Sequence, residues 1–149
     1  MKESFDAAME FLRQWEGWKS DDPADRGGRT VCGISAESHP EVVESLWNLP
    51  EEVAWTRAAS WYRSRYWDAL ACDHIPAPMD RVIFDIAVNN GRSFAETVYR
   101  ECQTPQDALL RRIGRYSRII NKDASQLKFI KGWLNRTLSL YEQIKGTEG

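Results

Sequence analysis

The sequence has few cysteines and histidines, and those present do not cluster. Cys32, Cys72 and Cys102 are odd in number and far apart, and His39 and His74 have no partner at the spacing of metal ligands. No two cysteines stand in a CxxC pair. This distribution argues against a zinc site and against a disulfide framework, and it favours folding in a reducing compartment. We therefore expect no metal site.

Long apolar runs and an excess of positive charge are also missing. Residues 1–11 (MKESFDAAMEF) lack the uninterrupted apolar stretch of a secretory signal, and no segment is apolar enough to span a membrane. Twenty lysines and arginines against 22 acidic residues give a formal net charge of −2, which offers no basic footprint for nucleic acid. We expect neither membrane insertion nor nucleic-acid binding.

What is present fits a single globular domain over residues 1–149. Apolar residues make up 42% of the chain and charged residues 28%, and no linker, repeat or low-complexity stretch divides it. Seven tryptophans are many for this length. A tryptophan-rich core explains part of that number, and flat indole faces are also common in sugar-binding clefts.

Apolar periodicity predicts a mainly α fold. The first stripe predicts a helix capped by Ser4 and running to about Trp15; its apolar members are Phe5, Ala8, Met9, Leu12 and Trp15. Further helical stripes follow from Pro50 to the C-terminal end, and they include one running from Leu127 to Ile144. Residues 30–34 (TVCGI) are β-prone, which predicts a small hairpin near the N-terminus, between about Asp25 and Ile34.

Three short patterns predict helix ends along the second half of the chain. Asn90-Gly91 is typical of a helix stop. Ser93 followed by Glu96 predicts a capping box, and Thr104 before Pro105 predicts a second helix start.

Two carboxylates and a hydroxyl near the N-terminus form the candidate catalytic set. Glu16 ends the first predicted helix, Asp25 lies nine positions further on in a turn rich in glycine, and Thr30 follows five residues later. A glycosidase needs one carboxylic acid to protonate the leaving oxygen and an opposing group to hold or activate water. The alternative is that Asp25 only stabilises a solvated turn and Thr30 is an ordinary strand residue, because aspartate, proline and glycine form turns in any case.

The run from Glu16 to Ile34 resembles the N-terminal signature of glycoside hydrolase family 108. That pattern reads roughly E-G-G-x-x-x-D-P-x-D-x-G-G-x-T-x-x-G-I and aligns here without a gap. Similar motifs follow in order at residues 62–68 (YRSRYWD), 84–91 (FDIAVNNG) and 132–136 (GWLNR), so the resemblance covers nearly the whole chain. Trp18 departs from the pattern, because it replaces the second glycine.

The resemblance implies a lysozyme-like helical domain that cleaves bacterial peptidoglycan. Members resemble phage-type N-acetylmuramidases, which cut the β-1,4 bond between N-acetylmuramic acid and N-acetylglucosamine, and some are called secretion activators. It implies Glu16 as the general acid, with Asp25 and Thr30 holding water on the far face of the sugar, and therefore inversion at the anomeric carbon. No cofactor is required for this chemistry.

Four further residues in the similar motifs are candidate substrate contacts. Tyr66 could offer an aromatic platform, and Asp85, Asn89 and Asn90 could hydrogen-bond the N-acetyl and hydroxyl groups of the glycan. The alternatives are a core role for Tyr66, capping by Asn89, and an ion pair between Asp85 and an arginine.

The missing signal favours a phage or prophage endolysin. We expect a monomer held in the host cytoplasm until a holin or similar pore lets it reach the cell wall.

Two other functions remain open. A lytic transglycosylase would use one glutamate and form a 1,6-anhydro product without water. A non-catalytic peptidoglycan-binding or secretion-assisting protein would have no need of Glu16, Asp25 and Thr30.

Overall fold

The computed structural model describes residues 2–22 and 28–146, except for the side chain of Lys2. Within these ranges, α-helices cover α1 (Lys2–Glu16), α2 (Pro40–Trp47), α3 (Glu51–Tyr62), α4 (Met79–Asn90), α5 (Arg92–Glu101), α6 (Pro105–Lys122) and α7 (Ile130–Lys145). The strands are β1 (Lys19–Asp21), β2 (Arg29–Val31) and β3 (Ile34–Ser35). A π-helical turn covers Arg63–Trp67, and 3₁₀ turns cover Cys72–His74 and Ala124–Phe129. The prediction of a mainly α fold with a small β element near the N-terminus is confirmed.

The first helix follows its apolar stripe closely. Phe5, Ala8, Met9 and Leu12 are buried, as the periodicity predicts, and the helix ends at Glu16, one residue beyond the predicted end. The prediction that Ser4 caps it is wrong. The helix already begins at Lys2, and the Ser4 hydroxyl donates instead to the Asp80 carboxylate on α4.

The β element is an antiparallel sheet in the order β1-β2-β3, wider than the predicted hairpin. β2 and β3 form that hairpin around Cys32 and Gly33, and Val31 lies opposite Ile34. β1 was not predicted, because all three of its residues are exposed and give no alternation of apolar and polar side chains.

The chain divides into two compact units. We call Met9–Arg65 the sheet unit, and Met1–Ala8 together with Tyr66–Gly149 the helical unit. The sheet unit has its own core, formed by buried residues of the sheet, α2 and α3: Val31, Ile34, Val43, Leu46, Trp55, Ala58 and Tyr62. The prediction of a single domain over 1–149 stays a prediction.

The core of the helical unit is built on aromatic contacts between sequence-distant elements. Phe5, Trp67 and Phe84 meet edge to face, with ring centroids 5.2 to 5.9 Å apart. The Trp67 indole N–H donates to the Asp73 carboxylate at 2.9 Å, so this buried ring also has its polar group satisfied. α4 supplies much of the remaining core through Val82, Ile83 and Ile86.

Of the three helix ends predicted in the second half of the chain, the stop at Asn90-Gly91 and the start at Thr104 are confirmed, and the capping box at Ser93 is wrong. α4 ends at Asn90, with Gly91 at a φ of 94°, and the Thr104 hydroxyl caps α6 by accepting from Asp107 N–H at 3.1 Å. α5 begins at Arg92 with no side-chain cap, so the capping box at Ser93 is wrong.

The prediction of one helix with a buried stripe from Leu127 to Ile144 is wrong in part. A 3₁₀ turn covers Ala124–Phe129 before α7 begins, and within α7 Leu138 is 56% exposed while Leu140 is buried.

Among the residues that the structure describes, no helix is long and apolar enough to cross a membrane.

Candidate active site

Glu16 stands at the point where the chain leaves α1. Gly17 follows it with a φ of 69°, a conformation that residues with a Cβ adopt only at a cost, so the helix stops here and the chain turns into β1. The Glu16 side chain is half-buried. Part of this residue is therefore exposed, and part is packed against protein.

The hairpin turn between β2 and β3 lies directly against Glu16. Cys32 and Gly33 have φ values of 52° and 79°, as a tight two-residue turn between twisted strands requires. A Cβ added to Gly33 would lie 2.9 Å from both Cβ and Cγ of Glu16 and 2.7 Å from the hydroxyl oxygen of Tyr62. Only glycine therefore fits between the two side chains.

Backbone and side-chain hydrogen bonds tie this turn down at its first residue. The Tyr62 hydroxyl, on the last residue of α3, donates to the carbonyl of Cys32 at 2.8 Å. The Cys32 N–H donates to the carbonyl of Trp18 at 2.9 Å. We did not predict Tyr62 as a site residue; its place in the motif at residues 62–68 was the available signal.

Thr30 lies in the middle of the sheet. It pairs with Ser20 on β1 and with Ser35 on β3, which puts three hydroxyl side chains in a row on one face. Val31 and Ile34 point to the opposite face and are buried, whereas Thr30 is half-buried. The Thr30 hydroxyl is therefore on the side of the sheet that the core does not occupy.

Asp25 lies outside the described residues, so the predicted catalytic set is seen only in part. The described chain resumes at Gly28, whose φ is 66°. Glu16 and Thr30 both belong to the sheet unit.

Trp18, the departure from the family pattern, packs against the cation of Lys19, which also contacts Trp47. The ammonium of Lys19 lies 5.1 Å from the ring centre of Trp18 and 4.8 Å from that of Trp47. The Arg29 guanidinium lies 4.6 Å from the same Trp47 ring and pairs with Glu44 at 3.1 Å. Each exposed cation–π contact contributes about 0.5–1 kcal/mol. In this chain a tryptophan thus packs where the pattern has a glycine.

Asp85 does not occupy a position where it could touch a glycan. It is 2% exposed; the Arg112 guanidinium donates to one carboxylate oxygen at 2.7 Å and the Arg136 guanidinium to the other at 2.8 Å. Burial raises the pKa of this carboxyl, but the charges of Arg136 and Arg112 and their hydrogen bonds outweigh that effect and hold the pKa below its ordinary value. The prediction of a direct sugar contact is wrong for Asp85, and the alternative, an ion pair with arginine, is confirmed.

The other predicted substrate contacts belong to the helical unit. Asn89 is exposed near the end of α4, and its amide donates to the Asp85 backbone carbonyl at 3.1 Å. Asn90 is half-buried, and its side-chain oxygen accepts no hydrogen bond from the described part of the chain. Tyr66 is half-buried in the π-helical turn, a conformation often found at functional sites. Their contact with substrate stays a prediction.

A pocket of about 220 Å³ in the helical unit is lined by none of the predicted site residues that the structure describes. Its walls are mostly short and branched apolar side chains from residues 69–83, closed by Glu96 and Tyr99. Glu96 is the one carboxylate among the described lining residues, and glycoside hydrolysis needs a second, opposing group, so this pocket is not the candidate active site.

Cysteine chemistry is excluded by burial. All three cysteines are buried and reduced, and burial raises the pKa of Cys32 and of Cys72 to about 12 in each case. Thiols in such surroundings are neutral at physiological pH and are poor nucleophiles. Across residues 2–22 and 28–146, no group of three or more histidine, cysteine or acidic side chains is placed to hold a metal ion.

The structure is thus that of a mainly helical protein in which Glu16, at the end of α1, lies beside the hairpin of a small sheet. Residues 9–91, more than half of the chain, match the family model described as Glycosyl hydrolase 108, and the chain belongs to that family. Membership supports a function of the peptidoglycan-hydrolase kind.

The solved structure of Brucella abortus SagA has the same fold. It superposes with a TM-score of 0.71 at 21% sequence identity, over 98% of this chain and 96% of SagA. No curated protein matches the chain significantly.

Proposed function

We propose that this protein is an endo-acting N-acetylmuramidase, with Glu16 as the general acid that protonates the glycosidic oxygen. The observation that carries the proposal is the packing of Glu16. It is half-buried at a helix end, and the glycine turn of the hairpin lies against its Cβ and Cγ. A general acid must be held in hydrogen-bonding reach of the proton acceptor, and packing of this kind provides the required fixed position.

Water would be activated on the opposite face of the sugar by Asp25 and Thr30. Thr30 supports this role because its hydroxyl lies on the face of the sheet turned away from Val31 and Ile34, beside two serine hydroxyls. The role of Asp25 rests on its position in the family pattern. Attack by this water as the leaving group departs inverts the anomeric carbon.

The substrate would be the glycan strand of bacterial peptidoglycan. Family membership supports this class of substrate. Asn89 and Asn90 would donate and accept hydrogen bonds at its N-acetyl and hydroxyl groups, and Tyr66 would pack against a sugar ring. Asp85 would contribute to substrate binding only indirectly, because its ion pairs hold α4, which carries Asn89 and Asn90, against α6 and α7.

Mass spectrometry of purified peptidoglycan after digestion tests the proposal. Muramic acid at new reducing ends is the expected result. New 1,6-anhydro ends would identify a lytic transglycosylase, and the release of no soluble fragments would identify a binding or secretion-assisting protein; either result contradicts the proposal.

We also propose the biological setting that the family resemblance implies, a phage or prophage lysis enzyme that works as a monomer. Expression in a bacterial host should cause lysis only when a holin or similar pore is expressed with it. Lysis of equal extent without a pore would contradict release from the cytoplasm. Sedimentation of the purified protein tests the monomer.

A further inference from the structure

We propose that Gly33 and Tyr62 are positioning residues for Glu16, which fix the side chain of the general acid through the hairpin turn. The inference rests on the proposed function of Glu16. It adds to that function a reason why the acid is correctly placed before substrate binds.

The first step is the contact between the turn and the acid. A Cβ on Gly33 would lie 2.9 Å from two successive side-chain atoms of Glu16, a separation that real Cβ atoms essentially never show. The Gly33 backbone is therefore already in contact with these atoms. Because Cβ and Cγ define the first side-chain torsion of Glu16, this contact limits the rotamers open to it.

The second step is that the turn itself is held in place. Tyr62 is 2% exposed, and its hydroxyl donates to the Cys32 carbonyl at 2.8 Å, immediately before Gly33. The Cys32 N–H is bonded to Trp18, two residues after Glu16. Both backbone groups of Cys32 are thus anchored: its carbonyl is bonded to α3, and its N–H is bonded to the chain that leaves α1.

The third step is that the same hydroxyl also lies over Gly33. The oxygen of Tyr62 would be 2.7 Å from a Cβ at that position. The turn is therefore confined between Glu16 on one side and Tyr62 on the other. A shift of the turn in either direction would be passed on to Glu16, and displacements of about 1 Å at a reacting group can cost roughly 100-fold in rate.

Kinetics of Gly33→Ala and Tyr62→Phe on solubilised peptidoglycan glycan strands test the inference. We expect kcat of Gly33→Ala to fall by about 10- to 100-fold with KM changed less than about twofold, because the fault lies in the acid and not in glycan binding. Tyr62→Phe should lower kcat several-fold in the same way. All rates are taken per folded molecule, with the folded fraction measured by circular dichroism.

Gly28→Ala is the matched control for backbone strain. Gly28 has a φ of 66°, close to that of Gly33, but no residue that the structure describes lies within 4 Å of an added Cβ. It should lose stability as Gly33→Ala does and keep its kcat. An equal loss of kcat in Gly28→Ala would show that strain in the hairpin is sufficient, and would overturn the inference.

A double-mutant cycle with Glu16→Gln separates positioning from a merely structural role. If Gly33 acts through Glu16, then Gly33→Ala should lower kcat in the wild-type background and cause little further loss in the Glu16→Gln background. Additive losses would overturn the inference. If Glu16→Gln keeps its turnover, the proposed function itself fails. If Glu16→Gln is inactive while folded Gly33→Ala and Tyr62→Phe keep normal kcat, only the positioning inference fails.

Discussion

Glu16 in the sheet unit and Asp85 in the helical unit are both carboxylates in motifs of the same family, and their surroundings differ. Glu16 is half-buried at a helix end, with a glycine turn against its aliphatic part. Asp85 is buried in mid-helix, and two guanidinium groups donate to its oxygens. The first residue is partly exposed and its aliphatic part packs against the turn, whereas the second has both carboxylate oxygens bound by arginines within the protein. Membership in a motif therefore does not by itself separate a reacting group from a structural one.

The largest effect should come from Glu16→Gln. The amide keeps the shape of the side chain but cannot donate a proton of suitable acidity, and loss of general acid catalysis costs about 100- to 10,000-fold in rate. Turnover on purified peptidoglycan measures this, and the melting temperature should hardly change. Glu10→Gln, an exposed glutamate on the same helix, is the matched control and should keep full activity. Near-normal turnover in Glu16→Gln would remove this residue from the mechanism.

Asp85→Asn should have the opposite profile, a large loss of stability. The variant leaves Arg112 and Arg136 buried without their counter-ion, and breaking such a buried pair costs about 3–5 kcal/mol in the free energy of unfolding. Urea denaturation measures the loss. Asp107→Asn, an exposed aspartate on α6, should change stability by less than about 1 kcal/mol. If Asp85→Asn is as stable as wild type but cannot bind glycan, Asp85 is a substrate-binding residue and its structural role is refuted.

The pH dependence of stability tests the same ion pairs without a mutation. The pKa of Asp85 is lower in the folded protein than its ordinary value of 3.8, so the folded state binds a proton less readily than the unfolded chain. The stabilisation is therefore complete above about pH 4 and is lost as the pH falls through the folded-state pKa. Urea denaturation at pH 7, 5 and 3 should show this loss in wild type. If Asp85→Asn loses as much stability between pH 5 and pH 3 as wild type does, other titrating groups are responsible for the loss.

Asp25→Asn should have an intermediate effect and tests whether Glu16 works with a second carboxylate. If Asp25 positions water, kcat should fall about tenfold or more, equivalent to about 1.4 kcal/mol or more of transition-state stabilisation, while glycan affinity persists. If it only shapes the turn, stability should fall by about 0.5–2 kcal/mol with activity per folded molecule kept. Asp21→Asn, an exposed aspartate on β1, is the control.

The product of the wild-type enzyme provides an independent check on the water-activating step. NMR should show the first-formed product with the anomeric configuration inverted. Retention of the β configuration would exclude the inverting mechanism, even if Asp25 proves essential.

Local patterns predicted what depends on neighbours in sequence. The stripe from Phe5 to Leu12 gave the first helix and placed Glu16 at its end, and Thr104 gave the start of α6. The β-prone run at residues 30–34 predicted the small hairpin, although the position of its turn at Cys32 and Gly33 was not predicted. These features need only a few consecutive residues to form.

Contacts between distant residues were beyond the reach of pattern reasoning. Asp85 meets arginines 27 and 51 residues further along, and Tyr62 meets a carbonyl 30 residues earlier, so no spacing rule identifies either pair. β1 is exposed along its whole length, and Ser4 bonds a residue 76 positions away in place of its own helix end. The roles of motif residues were thus decided by tertiary packing, which the periodicity of one segment does not contain.

Asn89→Ala should have the smallest effect and tests whether the exposed end of α4 takes part in binding. One neutral hydrogen bond contributes about 0.5–1.5 kcal/mol, so the Kd for soluble glycan fragments should rise roughly two- to tenfold with kcat unchanged. Asn121→Ala, an exposed asparagine on α6 outside the family motifs, is the matched control and should bind as wild type does. Because the Asn89 amide bonds its own helix at the Asp85 carbonyl, melting curves of both variants are needed. Unchanged affinity with a lowered melting temperature would assign Asn89 to the structure of α4, and the helical unit would then contribute one less group to substrate binding.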